Sequence, residues 1–293
     1  MTRTSVVVVA YRSSGYLERG LPALLRDPAV GDVVVVDNSS DPATARVVGR
    51  ADGRVRYVDP GANLGFARGC NLGMRATSDP VVTFLNPDVL LEQSLAELVD
   101  RCGADDRMVL GGGLTGEAGG ALGNARRRET LGTELRRAVL GAGSSLQPVA
   151  ADTGTIAVPQ VDGAFLIAHR TFLELLDGYD ERFELYFEDV DICDRARVHG
   201  RVLLDTRRFG SHAGGGSSRT VAAVSYCVFR VSRIRYFAKR GGRAAAAAAL
   251  VVAVAEVVAR TLTRQPEGWR VRWRALRLSA REAWRPGTVR VLS

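Results

Sequence analysis

The sequence predicts an α/β fold built on a mostly parallel central sheet, and three observations carry that prediction. Val33–Val36 and Val81–Leu85 are apolar runs without alternation, as in strands buried on both faces. Segments with helical periodicity separate the runs, and strands joined through helices imply right-handed crossovers and parallel pairing. Three apolar runs also stop at acids: Val33–Val36 at Asp37, Val81–Leu85 at Asn86-Pro87-Asp88, and Leu185–Phe187 at Glu188-Asp189. Carboxylates just past buried strands lie at the sheet edge where open α/β folds bind ligands.

Taken in order, Ser5–Ala10 is a predicted strand, and Tyr16–Leu25 a helix with Leu17, Leu21, Leu24 and Leu25 on one side. Val33–Val36 is the second strand, and Pro42–Gly49 a short helix behind the turn Asp37-Asn38-Ser39-Ser40-Asp41. Val55–Val58, a helix over Ala67–Ala76, Val81–Leu85 and a helix over Leu91–Asp100 follow. From Gly111 to about Gln160 the pattern dissolves into Gly-rich and Arg-rich sequence, with Gly111-Gly112-Gly113 and Arg126-Arg127-Arg128. That stretch reads as a poorly packed excursion or lid. Order returns with a strand over Val161–Ala168, a helix from about Asp189 to His199 stopped by Gly200, and a strand at Arg201–Asp205. His212 then falls in a glycine-rich loop, Ser211–Ser218.

Length and composition suit a globular protein: 293 residues, 46% hydrophobic and 25% charged. The cysteines Cys70, Cys102, Cys193 and Cys227 are scattered without a CxxC pair, as in a reducing compartment. The apolar run Val6–Ala10 behind Met1–Thr4 is too short for the core of a secretory leader, so a cytoplasmic location is expected. Charge is divided unevenly. Residues 219–293 hold sixteen Arg and Lys against Glu256, Glu267 and Glu282, while the preceding 218 residues hold 24 bases and 29 acids.

This division sets the expected organisation: an α/β domain over 1–218 and a helical, basic, Trp-containing extension over 219–293. Ala244–Ala255 is apolar but stops at Glu256, short of the ~20 residues that span a bilayer. Further on, Trp269, Trp273, Leu276, Ala280 and Trp284 recur at helical spacing beside Arg270, Arg274, Arg277, Arg281 and Arg285. Such a helix suits an anionic membrane surface, at which the protein is expected to be peripheral. An acidic partner or an oligomer contact is the competing use of the same residues, and nucleic acid is not expected.

Asp37 can accept hydrogen bonds from a nucleobase imide or a ribose hydroxyl, or it can build an Asx-turn or helix cap. Asn63-Leu64-Gly65-Phe66 opens a helix whose backbone N–H groups attract phosphate and ribose oxygens; the alternative is helix–sheet packing that needs glycine. Asn86-Pro87-Asp88 ends a strand ladder and leaves Asp88 beyond the sheet edge. One Asp there could serve a hard divalent ion whose other ligands are phosphates and water, or cap the next helix. Glu188 and Asp189 follow Tyr186-Phe187 directly, and adjacent carboxylates in an apolar frame resist joint ionisation. One pKa therefore rises toward that of a general base. His212 could complete a metal shell with Asp88, or be an ordinary surface histidine.

The ordered set Asp37, Asn63-Leu64-Gly65-Phe66, Leu85-Asn86-Pro87-Asp88, Gly163-Ala164-Phe165-Leu166, Gly178-Tyr179-Asp180-Glu181-Arg182-Phe183, Phe187-Glu188-Asp189-Val190-Asp191 and His212 resembles the family-2 inverting glycosyltransferases of GT-A fold. The likeness is strongest to their rhamnosyltransferase-like branch and covers about residues 4–240. It implies a Rossmann-like GT-A domain, a nucleotide-sugar donor with dTDP-rhamnose favoured, a glycan or lipid-linked acceptor, and a divalent cation, Mg²⁺ or Mn²⁺. By the same resemblance, Tyr11, Asp37, Asn63, Gly65 and Asp88 bind donor, and Asp88 and His212 bind metal. Asp189 is the catalytic base, with Glu188 and Gly163 orienting on the acceptor side. Asn86 departs from the family's Asp-x-Asp element at its first position, which bears on metal dependence. A UDP- or GDP-sugar transferase, a dinucleotide-dependent oxidoreductase and a non-catalytic binding relative are the competing functions. The absence of GxGxxG counts against the oxidoreductase, and the presence of both Asp88 and Asp189 against a non-catalytic relative.

Overall fold

A computed structural model describes residues 2–116, 122–140, 147, 149–213, 222–262 and 268–292. The first half alternates as the periodicity predicts: β1 (Thr4–Ala10), α1 (Ser14–Arg26), β2 (Val30–Asp37), α2 (Pro42–Gly49), β3 (Val55–Val58), α3 (Phe66–Arg75) and β4 (Val81–Leu85). β1 and β4 are buried along their whole length, which explains their unbroken apolar runs. β5 (Val89–Leu91), α4 (Ala96–Ala104), β6 (Met108–Gly116), β7 (Ala125–Arg126) and α5 (Leu131–Leu140) follow. The chain continues through β8 (Thr155–Ala157), β9 (Gln160–Val161), β10 (Phe165–His169), α6 (Arg170–Leu175), α7 (Glu188–His199) and β11 (Arg201–His212). It closes with two long helices, α8 (Ala222–Leu262) and α9 (Trp269–Trp284).

The main sheet has the order β3-β2-β1-β4-β10-β6-β11-β5, with β8 paired to β11. β1, β2, β3 and β4 run parallel, as do β6 and β11, while β10 lies antiparallel between β4 and β6. Helices cover both faces. Leu17, Leu21, Val48, Leu98 and Cys102 pack on one side, and Cys70, Met74, Phe172, Ile192 and Cys193 on the other. All four cysteines are buried free thiols.

Three expectations are corrected. Gly111-Gly112-Gly113 belongs to β6, a central strand, and not to an excursion. A β-carbon at Gly112 would overlap the Phe165 ring, so the glycines there make room for a core aromatic. The helix expected from Leu91 begins only at Ala96, because Leu91 pairs with Gly210 of β11 and Asp27 caps the start by accepting from the Leu95 N–H at 2.6 Å. The strand expected over Val161–Ala168 is broken at Asp162-Gly163-Ala164, which forms a turn between β9 and β10. His212 is the last residue of β11; residues 214–221, most of the glycine-rich loop, lie outside the described residues.

α8 bends at Gly241-Gly242, where Gly242 adopts φ +64°. Its first half lies on the sheet domain. Ser232 Oγ donates to the Leu185 carbonyl at 2.8 Å, Tyr236 OH to Asp194 at 2.7 Å, and Lys239 pairs with Asp180 at 2.7 Å. Its second half forms a hairpin with α9, and buried ion pairs tie the hairpin to the first half. Arg235 Nε lies 2.7 Å from Glu282 of α9, while Glu256 is paired with Arg230 and, at 3.0 Å, Arg233. Arg233 also reaches Glu134 of α5 at 2.6 Å. Glu256, where the apolar stretch of the sequence stops, thus sits inside a longer helix. Among the described helices α8 alone is long and apolar enough, by length and composition, to cross a membrane.

Candidate active site

The C-terminal edges of β1, β2 and β4, the turn at Asp162–Ala164 and the start of α7 surround one cavity of about 940 Å³. Strand register delivers its first pair of groups. β5 runs antiparallel to the end of β11 with Val89 opposite His212, so Asp88 stands beside that histidine, Oδ1 at 3.2 Å from Nε2. Asp88 is buried, and Asn86 N–H donates to the Ala164 carbonyl at 2.9 Å, fixing the Asn-Pro-Asp turn. Burial disfavours the charged form of His212, but the Asp88 carboxylate more than offsets it, and the imidazole pKa is raised from its ordinary 6.5. Among the described residues no group of three or more His, Cys, Asp or Glu could hold a metal, so Asp88 and His212 offer one oxygen and one nitrogen.

Asp189 stands in the first turn of α7. Its Oδ1 accepts from Val190 N–H at 2.8 Å and its Oδ2 from Gly163 N–H at 3.2 Å, which fixes the carboxylate at the cavity wall. The approach to it is strained. Tyr186 and Phe187, consecutive non-glycine residues, adopt φ of +65° and +68°. Their rings pack on α8: Tyr186 and Phe187 lie 5.6 and 5.5 Å from Phe229, and Phe187 lies 5.4 Å from Tyr236. The long helix therefore braces the turn that presents Asp189.

Charge on this wall is graded. Burial and then the Asp162 carboxylate push the Asp189 pKa up to about 6. Glu188, buried and next to Asp189, is driven well above its ordinary value. Asp162 is also raised by burial, but Arg126, whose Nε donates to it at 3.0 Å, brings it below the usual carboxylate value. Arg126 reaches it because β7 pairs with β9, Arg126 opposite Gln160.

Tyr11, Asn38, Asn63 and Gly65 also line the cavity. Asn38 Nδ2 donates to the Gly65 carbonyl at 3.0 Å, and Asn63 Oδ1 accepts from Gly65 N–H at 3.0 Å. Gly65 is required here. Its φ is +83°, and a β-carbon would overlap the Glu184 carbonyl, which accepts from Phe66 N–H at 2.6 Å.

Of the residues singled out in the sequence, Tyr11, Asn63, Gly65, Asp88, Gly163, Glu188, Asp189 and His212 line this cavity. Asp37 is not among the lining residues. Its side chain is fully buried and accepts from Ser39 Oγ at 2.6 Å, Asp41 N–H at 2.8 Å and Tyr57 OH at 3.0 Å, closing the Asx-turn that was its alternative role. Its neighbour Asn38 takes the place at the wall. Sequence reasoning also missed Arg126 and Asp162. The first was hidden in a run of three arginines and the second stood next to Gly163 without a spacing signal. Nor did it place Phe229, Val291 and Leu292 at the cavity, since only the tertiary fold brings the C-terminus there.

Residues 5–153 match the model of the family described as Glycosyl transferase family 2. The low-salt glycan biosynthesis hexosyltransferase Agl10 of Haloferax volcanii is 25% identical over 203 residues, 66% of this chain and 61% of that protein. The N-acetylglucosaminyl-diphospho-decaprenol L-rhamnosyltransferase of Mycobacterium tuberculosis is 29% identical over 211 residues, 65% of this chain and 69% of that protein. The match thus spans less than two thirds of the Haloferax protein. Among solved structures, the Pyrobaculum calidifontis mannosyltransferase PcManGT, in complex with GDP-Man and Mn²⁺, superposes with a TM-score of 0.56. It is 17% identical, over 97% of this chain and 87% of that one, a likeness of fold.

Proposed function

The chain belongs to glycosyl transferase family 2, and from that premise we propose that it is an inverting hexosyltransferase with Asp189 as its base. The observation that carries the reading is a carboxylate with pKa about 6 in the same cavity as the Asp88–His212 pair. Asp189 takes the proton of an acceptor hydroxyl; that oxygen bonds to the anomeric carbon as the carbon–oxygen bond to the diphosphate breaks on the opposite side. Configuration inverts in a single displacement. Burial and the neighbouring Asp189 raise the Glu188 pKa well above its ordinary value, which disfavours a second charge beside the base. Gly163 N–H holds the base in place.

Asp88 and His212 fit a divalent cation: their donor atoms face each other, His212 Nε2 makes no well-aligned hydrogen bond, and a hard ion on a diphosphate needs few protein ligands. These two residues would hold Mg²⁺ or Mn²⁺, which supplies electrostatic stabilisation to the departing diphosphate. The Mn²⁺-bound Pyrobaculum neighbour supports that assignment. Tyr11, Asn38, Asn63 and Gly65 take the nucleotide.

L-Rhamnose from dTDP-rhamnose is the donor that the mycobacterial relative favours, and a hydroxyl of a lipid-linked or cell-envelope glycan the acceptor. The enzyme works in the cytoplasm, peripheral to the inner face of the membrane. The outer surfaces of α8 and α9 support that placement, since Val251, Val254 and Val258 and all three tryptophans are exposed there. Thermal shift against dTDP-rhamnose, UDP- and GDP-sugars with Mn²⁺ tests the donor. Stabilisation by dTDP-rhamnose above the others is the expected result; stabilisation by UDP- or GDP-sugars alone would overturn it.

A further inference from the structure

The cavity has a second character that the transfer chemistry does not use. Its lining also includes Leu185, Tyr186, Val224, Phe229, Val291 and Leu292. Two of these are the last described residues of the chain, and buried carboxylates hold them there. Glu184, 5% exposed, accepts from Val291 N–H at 2.8 Å and from Leu292 N–H at 3.4 Å. Glu282, fully buried, accepts from Gly287 N–H at 2.5 Å and Val289 N–H at 3.1 Å. Ionisable groups are expensive to bury, and here two are used to fix an irregular segment at the rim of a cavity. Glu184 also bonds through its backbone carbonyl to Phe66, so one residue joins the donor loop to this strap.

We infer that the strap Val289–Leu292, with Tyr186, Val224 and Phe229, forms an acceptor subsite for hydrocarbon, the apolar chain of a lipid-linked acceptor. The inference rests on the glycosyl-transfer reading and deepens it. Position argues for it: the apolar lining includes Tyr186, in the turn that leads into Asp189, and through Glu184 the strap adjoins the Gly65-Phe66 loop. Leu185, Tyr186, Val224 and Leu292 are half-buried and pack in one cluster with the buried Val228, Val231 and Val291, giving a continuous apolar surface. The same helix that supplies Val224 and Phe229 carries Val251, Val254 and Val258 on its outer face. A hydrocarbon chain held on the continuous apolar surface would lie beside the turn that presents the base.

Binding of octyl and methyl N-acetylglucosaminide, measured by calorimetry below the micelle concentration and without membranes, tests the subsite. The octyl compound is expected to bind about 100-fold more tightly, the order that a partly buried alkyl chain provides. Leu292→Ser and Val224→Ser, both at half-buried positions, are each expected to lower that preference about 10-fold, with thermal melts confirming that the variants fold. Equal binding of the two glycosides to the unaltered protein, or a preference unmoved in both folded variants, would overturn the subsite. Nucleotide-sugar hydrolysis, measured in parallel, reports on the transferase reading separately: its absence would remove that reading and leave an octyl preference standing.

Discussion

Asp162, Glu188 and Asp189 all line the cavity, and their surroundings move their pKa values apart. Arg126 brings Asp162 below the usual carboxylate value, burial and Asp189 raise Glu188 well above it, and burial with Asp162 pushes Asp189 up to about 6. A base works only when ionised, so the sign of the pH dependence follows directly. Turnover should rise as pH increases from 5 to 7, reach half its plateau at about 6, and be lost as the medium is acidified. A rate constant with pH down to 4 would show that another group takes the proton. Asp189 was legible in the sequence as the second acid of a doublet after two aromatics. Its tuning was not. The tuning comes from burial first, and then from Asp162 and Arg126, which strand pairing between β7 and β9 brings together across a gap in sequence that carries no periodic signal. Asp37 is held by its own turn, the arrangement that the sequence offered beside contact with a nucleotide.

At the level of elements, the strands and helices of the first half follow their patterns closely because burial on both faces leaves unbroken apolar runs. Patterning fails at β6, where three glycines resemble a loop but make room for Val161, Phe165 and the Arg207 carbonyl in turn, and at Leu91, where pairing with β11 wins over helical spacing. α8 and α9 were legible as helices, yet the contacts that fix them are ionic and buried, contrary to the usual exposure of Arg and Glu. Glu282 joins α9 to Arg235 of α8 and to the backbone at Gly287 and Val289. Replacing it by alanine leaves a buried guanidinium without its carboxylate, a change that typically costs about 3–5 kcal/mol. The variant Glu282→Ala should therefore melt well below the parent in thermal unfolding and lose activity with the strap. An unchanged melt would mean that the pair is solvated in the working protein.

On the scale of the molecule, the basic C-terminal residues serve two surfaces at once. Inward, the first half of α8 braces Tyr186-Phe187 and the strap walls the cavity. Outward, Trp269, Trp273 and Trp284 are 64%, 55% and 71% exposed, beside a stripe of exposed arginines. The sequence showed the Trp–Arg helix but gave no sign that its partner reaches the active site, because that contact depends on how the chain folds back. Ending the chain at the Gly241-Gly242 bend would strip Arg230 and Arg235 of Glu256 and Glu282, so surface variants are the cleaner test of membrane binding. Replacing the three tryptophans by serine should reduce flotation with anionic liposomes several-fold while the protein stays folded. Equal flotation of both proteins would remove the membrane face from the account.

The central claim is that Asp189, in the cavity it shares with Asp88 and His212, takes the proton from the acceptor. Turnover of Asp189→Asn, set beside its affinity for the nucleotide-sugar, tests this most directly, since the amide keeps the shape and cannot act as a base. The account predicts a fall in kcat of about 10²–10⁴-fold with donor affinity little changed; a variant that kept most of its turnover would contradict it.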